Sequence, residues 1–161
     1  SGRITILEDR TSVRDILDTL YEQLQGLADQ KNLDLTIHVD ANVPDYLMMD
    51  SARVKQILVN LLANAIKFTD KGTVTLNVSW DSNFLILSVR DTGIGIPPHA
   101  IDYIFDEFRQ ADETSTRVYE GTGLGLAIVR KFTDSMNGTV TVQSDIGEGA
   151  IFTVMLPLEV A

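Results

Sequence analysis

An α/β sandwich, a mixed sheet packed on helices, is the fold class predicted by this 161-residue sequence. Three observations predict it. Thr11–Lys31, Asp50–Phe68 and Leu124–Met136 carry apolar residues at helical spacing. Leu33–Val39, Thr73–Trp80, Phe84–Arg90, Thr139–Ser144 and Ala150–Leu158 alternate with the period of strands. Some of these strands are separated by short turns and others by whole helices, the order expected of a mixed sheet with helices laid on it.

Each element has its own warrant. Arg3–Asp9 can form a short lead-in strand. In the first helix Val13, Ile16, Leu17, Leu20, Leu24, Leu27 and Ala28 share a face, and Thr11 or Ser12 can cap it. Leu33, Leu35, Ile37 and Val39 line one side of the next strand, with His38 on the other. A turn at Asn42-Val43-Pro44-Asp45 follows. Asp50 or Ser51 can cap the second helix, whose main stripe is Val54, Ile57, Leu58, Leu61, Leu62 and Ala65. Asp70-Lys71-Gly72 closes it, and Asp81-Ser82-Asn83 joins the following strands as a hairpin. Asp91–Glu120 has little periodicity beyond a short apolar patch at Ile101–Phe108, and a long irregular stretch of this kind is usually functional or mobile. Asn137-Gly138 ends the third helix, and Gly147-Glu148-Gly149 joins the last strand pair.

Composition narrows the function. Hydrophobic residues make up 44% and charged residues 22%, ordinary for a single domain with a sizeable core. With no cysteine there is no disulfide framework and no thiolate metal site. Two histidines, His38 and His99, argue against a multi-histidine metal site. A net charge of −10 argues against nucleic-acid binding by phosphate neutralisation. It also means that a polyanionic ligand needs local positive help. No run approaches the roughly 18 apolar residues of a membrane span, and no signal-peptide pattern opens the chain. The expectation is a cytoplasmic segment, or the cytoplasmic part of a membrane-bound protein, that itself touches neither nucleic acid nor membrane.

Within the second helix, Ile57–Ile66 is apolar except for Asn60 and Asn64, four residues apart. With Lys67 they fall within roughly 60° of arc, and Gln56 and Arg53 lie on the same side. Amide oxygens on such a stripe suit a hard cation such as magnesium, and a neighbouring ammonium suits a phosphate. A polar seam satisfied by backbone groups explains the stripe equally well at this point. Asp91-Thr92-Gly93-Ile94-Gly95-Ile96-Pro97 follows a strand directly. Its glycines permit close approach of a flat ligand, and an ionised Asp91 can accept from an exocyclic amine. A tight turn with a capping aspartate is the plainer reading. Gly121-Thr122-Gly123-Leu124-Gly125-Leu126 leads into the third helix, an arrangement that cradles phosphate on exposed N–H groups. It is too late in the chain for a dinucleotide fingerprint, and the Walker lysine-serine pair is absent.

In this order and spacing the segments resemble the catalytic ATP-binding domain of sensor histidine kinases, in the GHKL superfamily. NLLANAIKFT resembles the N box, DTGIGIP the first glycine box, IFDEFRQ the F box, GTGLGLAIV the second glycine box and GEGAIF the third. The resemblance covers nearly the whole chain, including ITILEDRTSVRDIL and the preamble Asp50, Arg53, Gln56, and ADETSTRVYEGTGLGL is most like the hybrid branch. It implies a Bergerat-type fold, with a mainly antiparallel sheet of about five strands on three helices. The cofactors it implies are ATP and magnesium. Asn64 would ligate the metal with Asn60 beside it, and Lys67 would meet the phosphates. Asp91 would take the adenine amine, with Gly93 and Gly95 letting the base approach. Phe105, Phe108 and Arg109 would anchor a lid over about Pro98–Glu120, and Arg117 would reach the terminal phosphate. Gly121, Thr122, Gly123, Leu124, Gly125 and Leu126 would form the hinge and phosphate contact. Ala150 and Glu120 stand where the family often has threonine and glycine.

The resemblance also implies what lies elsewhere. The γ-phosphoryl acceptor is a histidine on a separate dimerisation domain, and neither His38 nor His99 sits in a histidine box. The expected organisation is a lead-in over 1–10 and a catalytic domain over 11–161, monomeric as a fragment. Its expected partners are the dimerisation domain and a downstream receiver domain or response regulator. Two other functions compete: a water-using ATPase of the same superfamily, and a nucleotide-gated interaction module without transfer. The first places a glutamate where Asn60 stands, and an amide cannot act as that base.

Overall fold

The computed structural model describes residues 4–106 and 123–161. Its main sheet has five strands in the order β2 (Asp34–Val39), β4 (Thr73–Asp81), β5 (Phe84–Asp91), β7 (Gly149–Pro157) and β6 (Thr139–Asp145). β2 and β4 are parallel; the other pairings in this sheet are antiparallel. Parallel neighbours need a long crossover, and the intervening chain contains α2 (Ser51–Lys67). The expected mixed, mainly antiparallel sheet is therefore what the chain builds.

Register carries one apolar row across the sheet. Ile37 stands opposite Leu76, Leu76 opposite Val89, Val89 opposite Phe152, and Phe152 opposite Val142. Because strand side chains alternate, this row and its neighbours two positions away form one buried face. The opposite face presents Thr75, Asn77, Ser88, Thr153 and Thr141. Three helices accompany the buried face: α1 (Val13–Gln30), α2 and α4 (Gly123–Ser135), with α2 packed between the other two. Leu20, Leu58, Leu61 and Leu62 are almost wholly inaccessible at this junction. Truncating one of them to alanine costs about 2–5 kcal/mol.

Local signals act where the sequence places them. Ser12 caps α1 through the N–H of Asp15, and Asp50 caps α2 through that of Arg53. Ser82 and Asn83 both take positive φ, as a two-residue type I′ hairpin requires.

Two departures concern short strands. The lead-in strand expected over Arg3–Asp9 lies later, as β1 (Asp9–Ser12). It joins β3 (Tyr46–Met49) and β8 (Glu159–Val160) in a separate three-stranded sheet in the order β1-β3-β8. Four- and two-residue strands give too few alternations for a period to register. Their pairing is long-range: Asp9 faces Met49, and Leu47 faces Val160. Within the irregular segment Pro98–Ile101 forms one short helical turn, α3.

Candidate nucleotide site

α2 supplies the first wall. Asn64 is buried at 8% exposure, and its Oδ1 has no hydrogen-bond partner among the described residues. A buried carbonyl oxygen left without a donor costs about 1–3 kcal/mol. Within the described residues it is an open acceptor, of the kind that takes a cation or an N–H or O–H donor.

Asn60, one turn earlier, is engaged differently. Its Oδ1 accepts from Gln56 Nε2 at 2.7 Å, and its Nδ2 donates to the Gly125 carbonyl at 3.1 Å. It thus ties α2 to the first turn of α4. The two asparagines of the stripe share a face but not a job: one is a strap, the other an open acceptor. Lys67 is exposed at the end of α2, with its ammonium 5.5 Å from the centre of the Phe68 ring. The helix end beneath it is pinned by Lys31, whose Nζ donates to the carbonyls of Ile66 at 2.8 Å and Lys67 at 3.0 Å. A cation at a helix C-terminus opposes the macrodipole there.

β5 supplies the second wall. Asp91 is its last residue, on the helix-facing side, opposite Val74 and Ala150. It is 7% exposed, and its Oδ1 accepts from the Gly93 N–H at 2.9 Å. Burial raises its pKa above the usual 3.8, against the lowering effect of backbone hydrogen bonds from Gly93 and Ala150. The loop after it is clamped on both sides. Ile94 N–H donates to the Phe68 carbonyl at 3.2 Å, and Gly147 N–H to the Ile94 carbonyl at 2.8 Å. A Cβ on Gly93 would collide with the Phe68 carbonyl, and one on Gly95, at φ +74°, with that of Asp145. Backbone contact by itself requires these two glycines.

The remaining expected residues divide by place. Phe105 packs edge-on to Phe152, with ring centroids 6.0 Å apart, and the Arg130 guanidinium stands 5.7 Å over its ring. Gly123 and Leu124 open α4, Gly125 follows, and Leu126 is buried. Phe108, Arg109, Arg117, Gly121 and Thr122 lie outside the described residues.

Sequence reasoning missed two supports. Ser144 Oγ accepts from the Ile96 N–H at 2.7 Å and donates to the Gly149 carbonyl at 3.0 Å, fixing the exit of the clamped loop. Thr69, wholly buried, donates to the Ala65 carbonyl at 2.8 Å. It also fills the space that a Gly93 side chain would need. A single serine in a strand has no pattern to announce it. The threonine closes the NLLANAIKFT motif, which was its only signal.

Comparison with known proteins agrees with this architecture. Residues 49–160 match the family described as histidine kinase-, DNA gyrase B-, and HSP90-like ATPase. The sensor histidine kinase RcsC of Escherichia coli strain K12 is 41% identical over 158 residues, covering 98% of this chain and 17% of RcsC. Hybrid signal transduction histidine kinase A of Dictyostelium discoideum is 40% identical over 144 residues, 82% of this chain and 7% of that protein. The chain thus spans less than a fifth of either relative. Full-length ShkA, solved in complex with AMPPNP, superposes with a TM-score of 0.88 at 32% identity, covering 100% of this chain and 33% of ShkA. The nucleotide-free catalytic domain of histidine kinase ThkA gives 0.80 at 26% identity, covering 94% of this chain and 95% of that one. The chain belongs to the histidine kinase-, DNA gyrase B- and HSP90-like ATPase family, as the ATP-binding domain of a sensor histidine kinase.

Proposed function

We propose that this domain binds magnesium-ATP between α2 and the end of β5, and donates the γ-phosphoryl group to a histidine on a dimerisation domain of its parent kinase. The observation that carries the reading is the unpartnered Oδ1 of Asn64, buried on the polar stripe of α2. An amide oxygen is a ligand type that magnesium accepts, and magnesium bound this way usually bridges to substrate phosphates. When bound, the metal supplies charge neutralisation at those phosphates.

The chain's own groups divide the remaining work. Asp91, ionised, accepts the exocyclic amine of adenine, while the Gly93 N–H holds its other lone pairs in register. Lys67 offers its ammonium to the phosphates from the pinned end of α2, and the first turn of α4 offers backbone N–H groups. Asn60 holds α4 against α2 so that these donors keep their spacing. Phosphoryl transfer asks for positioning and charge more than for covalent help, so this inventory suffices for the donor half of the reaction. Phe108, Arg109 and the glycines from Gly121 onward complete the enclosure in this reading, and Arg117 reaches the terminal phosphate. Residues 1–10 form the lead-in from the dimerisation domain. A receiver domain or response regulator takes the phosphoryl group onward, in the cytoplasm. No helix among the described residues is long and apolar enough to cross a membrane.

Asn60 weighs against a water-activating ATPase. Its amide has no basic lone pair, and both its polar atoms already have partners.

Calorimetric titration of ATP, with and without magnesium, tests the metal site. Magnesium should tighten binding to the native chain by about ten-fold or more, and lose that effect in Asn64→Ala. The same magnesium dependence in both proteins removes Asn64 from the site. Transfer is tested by adding the parent's dimerisation domain and assaying acid-labile phosphohistidine. Nucleotide binding without any such product overturns the kinase reading and favours a nucleotide-gated module.

A further inference from the structure

Away from the nucleotide site, β2 is an end strand of the main sheet, and a groove of about 690 Å³ runs between it and α1. The ladder to β4 shows which backbone groups face outward. Asp34 N–H donates to the Gly72 carbonyl at 3.1 Å, and Asp40 N–H to the Val78 carbonyl at 2.9 Å. In a parallel ladder, alternate residues turn both polar groups to the same side. The even positions therefore pair with β4, and Leu35, Ile37 and Val39 turn their N–H and C=O groups toward the open edge. The side chains of these same three residues are only half-buried, beside Leu17 and Tyr21 of α1. Leu35–Val39 carries no lysine and no proline, two of the usual protections of an exposed edge.

We infer that this edge and groove form a docking site for an extended segment of a partner protein, one that alternates apolar residues with lysine or arginine. Added as a sixth strand, the segment pairs with the outward groups of Leu35, Ile37 and Val39 along about 13 Å of edge. Its apolar residues enter the groove against Leu17 and Tyr21. Charge selects the basic character. Side chains of an added strand alternate, so its basic residues point to the face opposite the groove, where the exposed Asp34 and Asp40 stand at the two ends of β2. The groove's cation, Arg14, is engaged with Asp45 at 3.4 Å. The same charges work against a second copy as occupant, because two chains of net charge −10 would meet acid to acid. A helical partner would leave the edge groups unpaired.

The test uses three synthetic octapeptides, alternating valine with lysine, with serine or with glutamate, and amide hydrogen exchange read by NMR on the whole chain. The lysine peptide should slow exchange at Leu35, Ile37 and Val39 by at least about ten-fold, with Thr36 and His38 unchanged because the ladder already protects them. The serine peptide should bind more weakly and the glutamate peptide least. The double variant Asp34→Lys/Asp40→Lys, altered only at exposed positions on that opposite face, should invert this order while ATP affinity stays the same. Three results overturn the inference: no protection by any peptide at millimolar concentration, protection insensitive to peptide charge, or protection without peptide accompanied by doubling of the mass in sedimentation. The last would assign the edge to a second copy.

Discussion

The two ends of the proposed nucleotide site are built in opposite ways. At the β5 end every group is already held. Asp91 is bonded to Gly93, the loop is tied to Phe68 and Gly147, and the glycines are pressed against backbone. At the α2 end the Asn64 oxygen lacks a partner among the described residues, and Lys67 lies exposed. The difference teaches a division of labour. In the proposed reading, a neutral flat base is met by a rigid cradle and one carboxylate, Asp91, whose burial is the electrostatic cost at this end. In the same reading, a polyphosphate and a metal bring charges that are costly to match in advance, which suits an end with an open amide oxygen at Asn64 and an exposed ammonium at Lys67.

The strongest way to break this contrast is at the rigid end. Gly93→Ala forces a side chain into the Phe68 carbonyl and Thr69. It should destabilise the chain by at least about 2 kcal/mol. The melting temperature should then fall by roughly 4–8 °C. An unchanged melting curve would mean that the cradle is pliable and the comparison wrong.

Asp91→Asn should give the next largest effect, and its sign depends on pH. Burial raises the folded pKa of Asp91, so its charged form is the disfavoured one. Its contribution to stability is complete below the ordinary value of 3.8 and is lost as pH rises through the folded value. The asparagine variant should therefore melt higher than the native chain at pH 7, yet bind adenosine worse. Native adenosine binding should weaken on acidification sooner than an ordinary aspartate would allow, and the variant's should stay flat. Parallel pH profiles for the two proteins would remove the carboxylate from base recognition.

Smaller effects sharpen the comparison at the α2 end. Asn60→Ala loses the bond to the Gly125 carbonyl and should cost about 1 kcal/mol in urea unfolding. Gly125→Ala should be the mildest. Its Cβ would meet nothing closer than Asn60 Nδ2 at 3.9 Å, and alanine favours a helix by up to about 1 kcal/mol. A melting temperature no lower than native is expected. A large fall would show that the start of α4 is as tightly packed as the β5 loop.

Legibility in the sequence followed the same physics. Elements with long periods were readable: α2 showed both its apolar stripe and its Asn60–Asn64–Lys67 line, and the β4–β5 hairpin showed its alternation and turn residues. Asp91 stood out as a candidate because it sits where a strand stops and glycines begin. What was not readable depends on contacts between distant segments. No pattern near Asn60 tells that its amide meets a carbonyl 65 positions away, or that Ser144 holds Ile96. The small sheet was invisible for the same reason, since Tyr46–Met49 becomes a strand only through partners at both ends of the chain.

Asp50 gives the fold a mechanical property. One carboxylate oxygen takes the N–H of Arg53 at 3.1 Å, and the other takes that of Leu7 at 3.0 Å. The segment around Leu7 and the helix bearing Asn64 are thus hooked on a single side chain, about 21 Å along the helix axis from that asparagine. A tug or twist arriving through residue 7 is delivered to a stiff rod. Motion at the doorway of the domain becomes motion at the far end of α2.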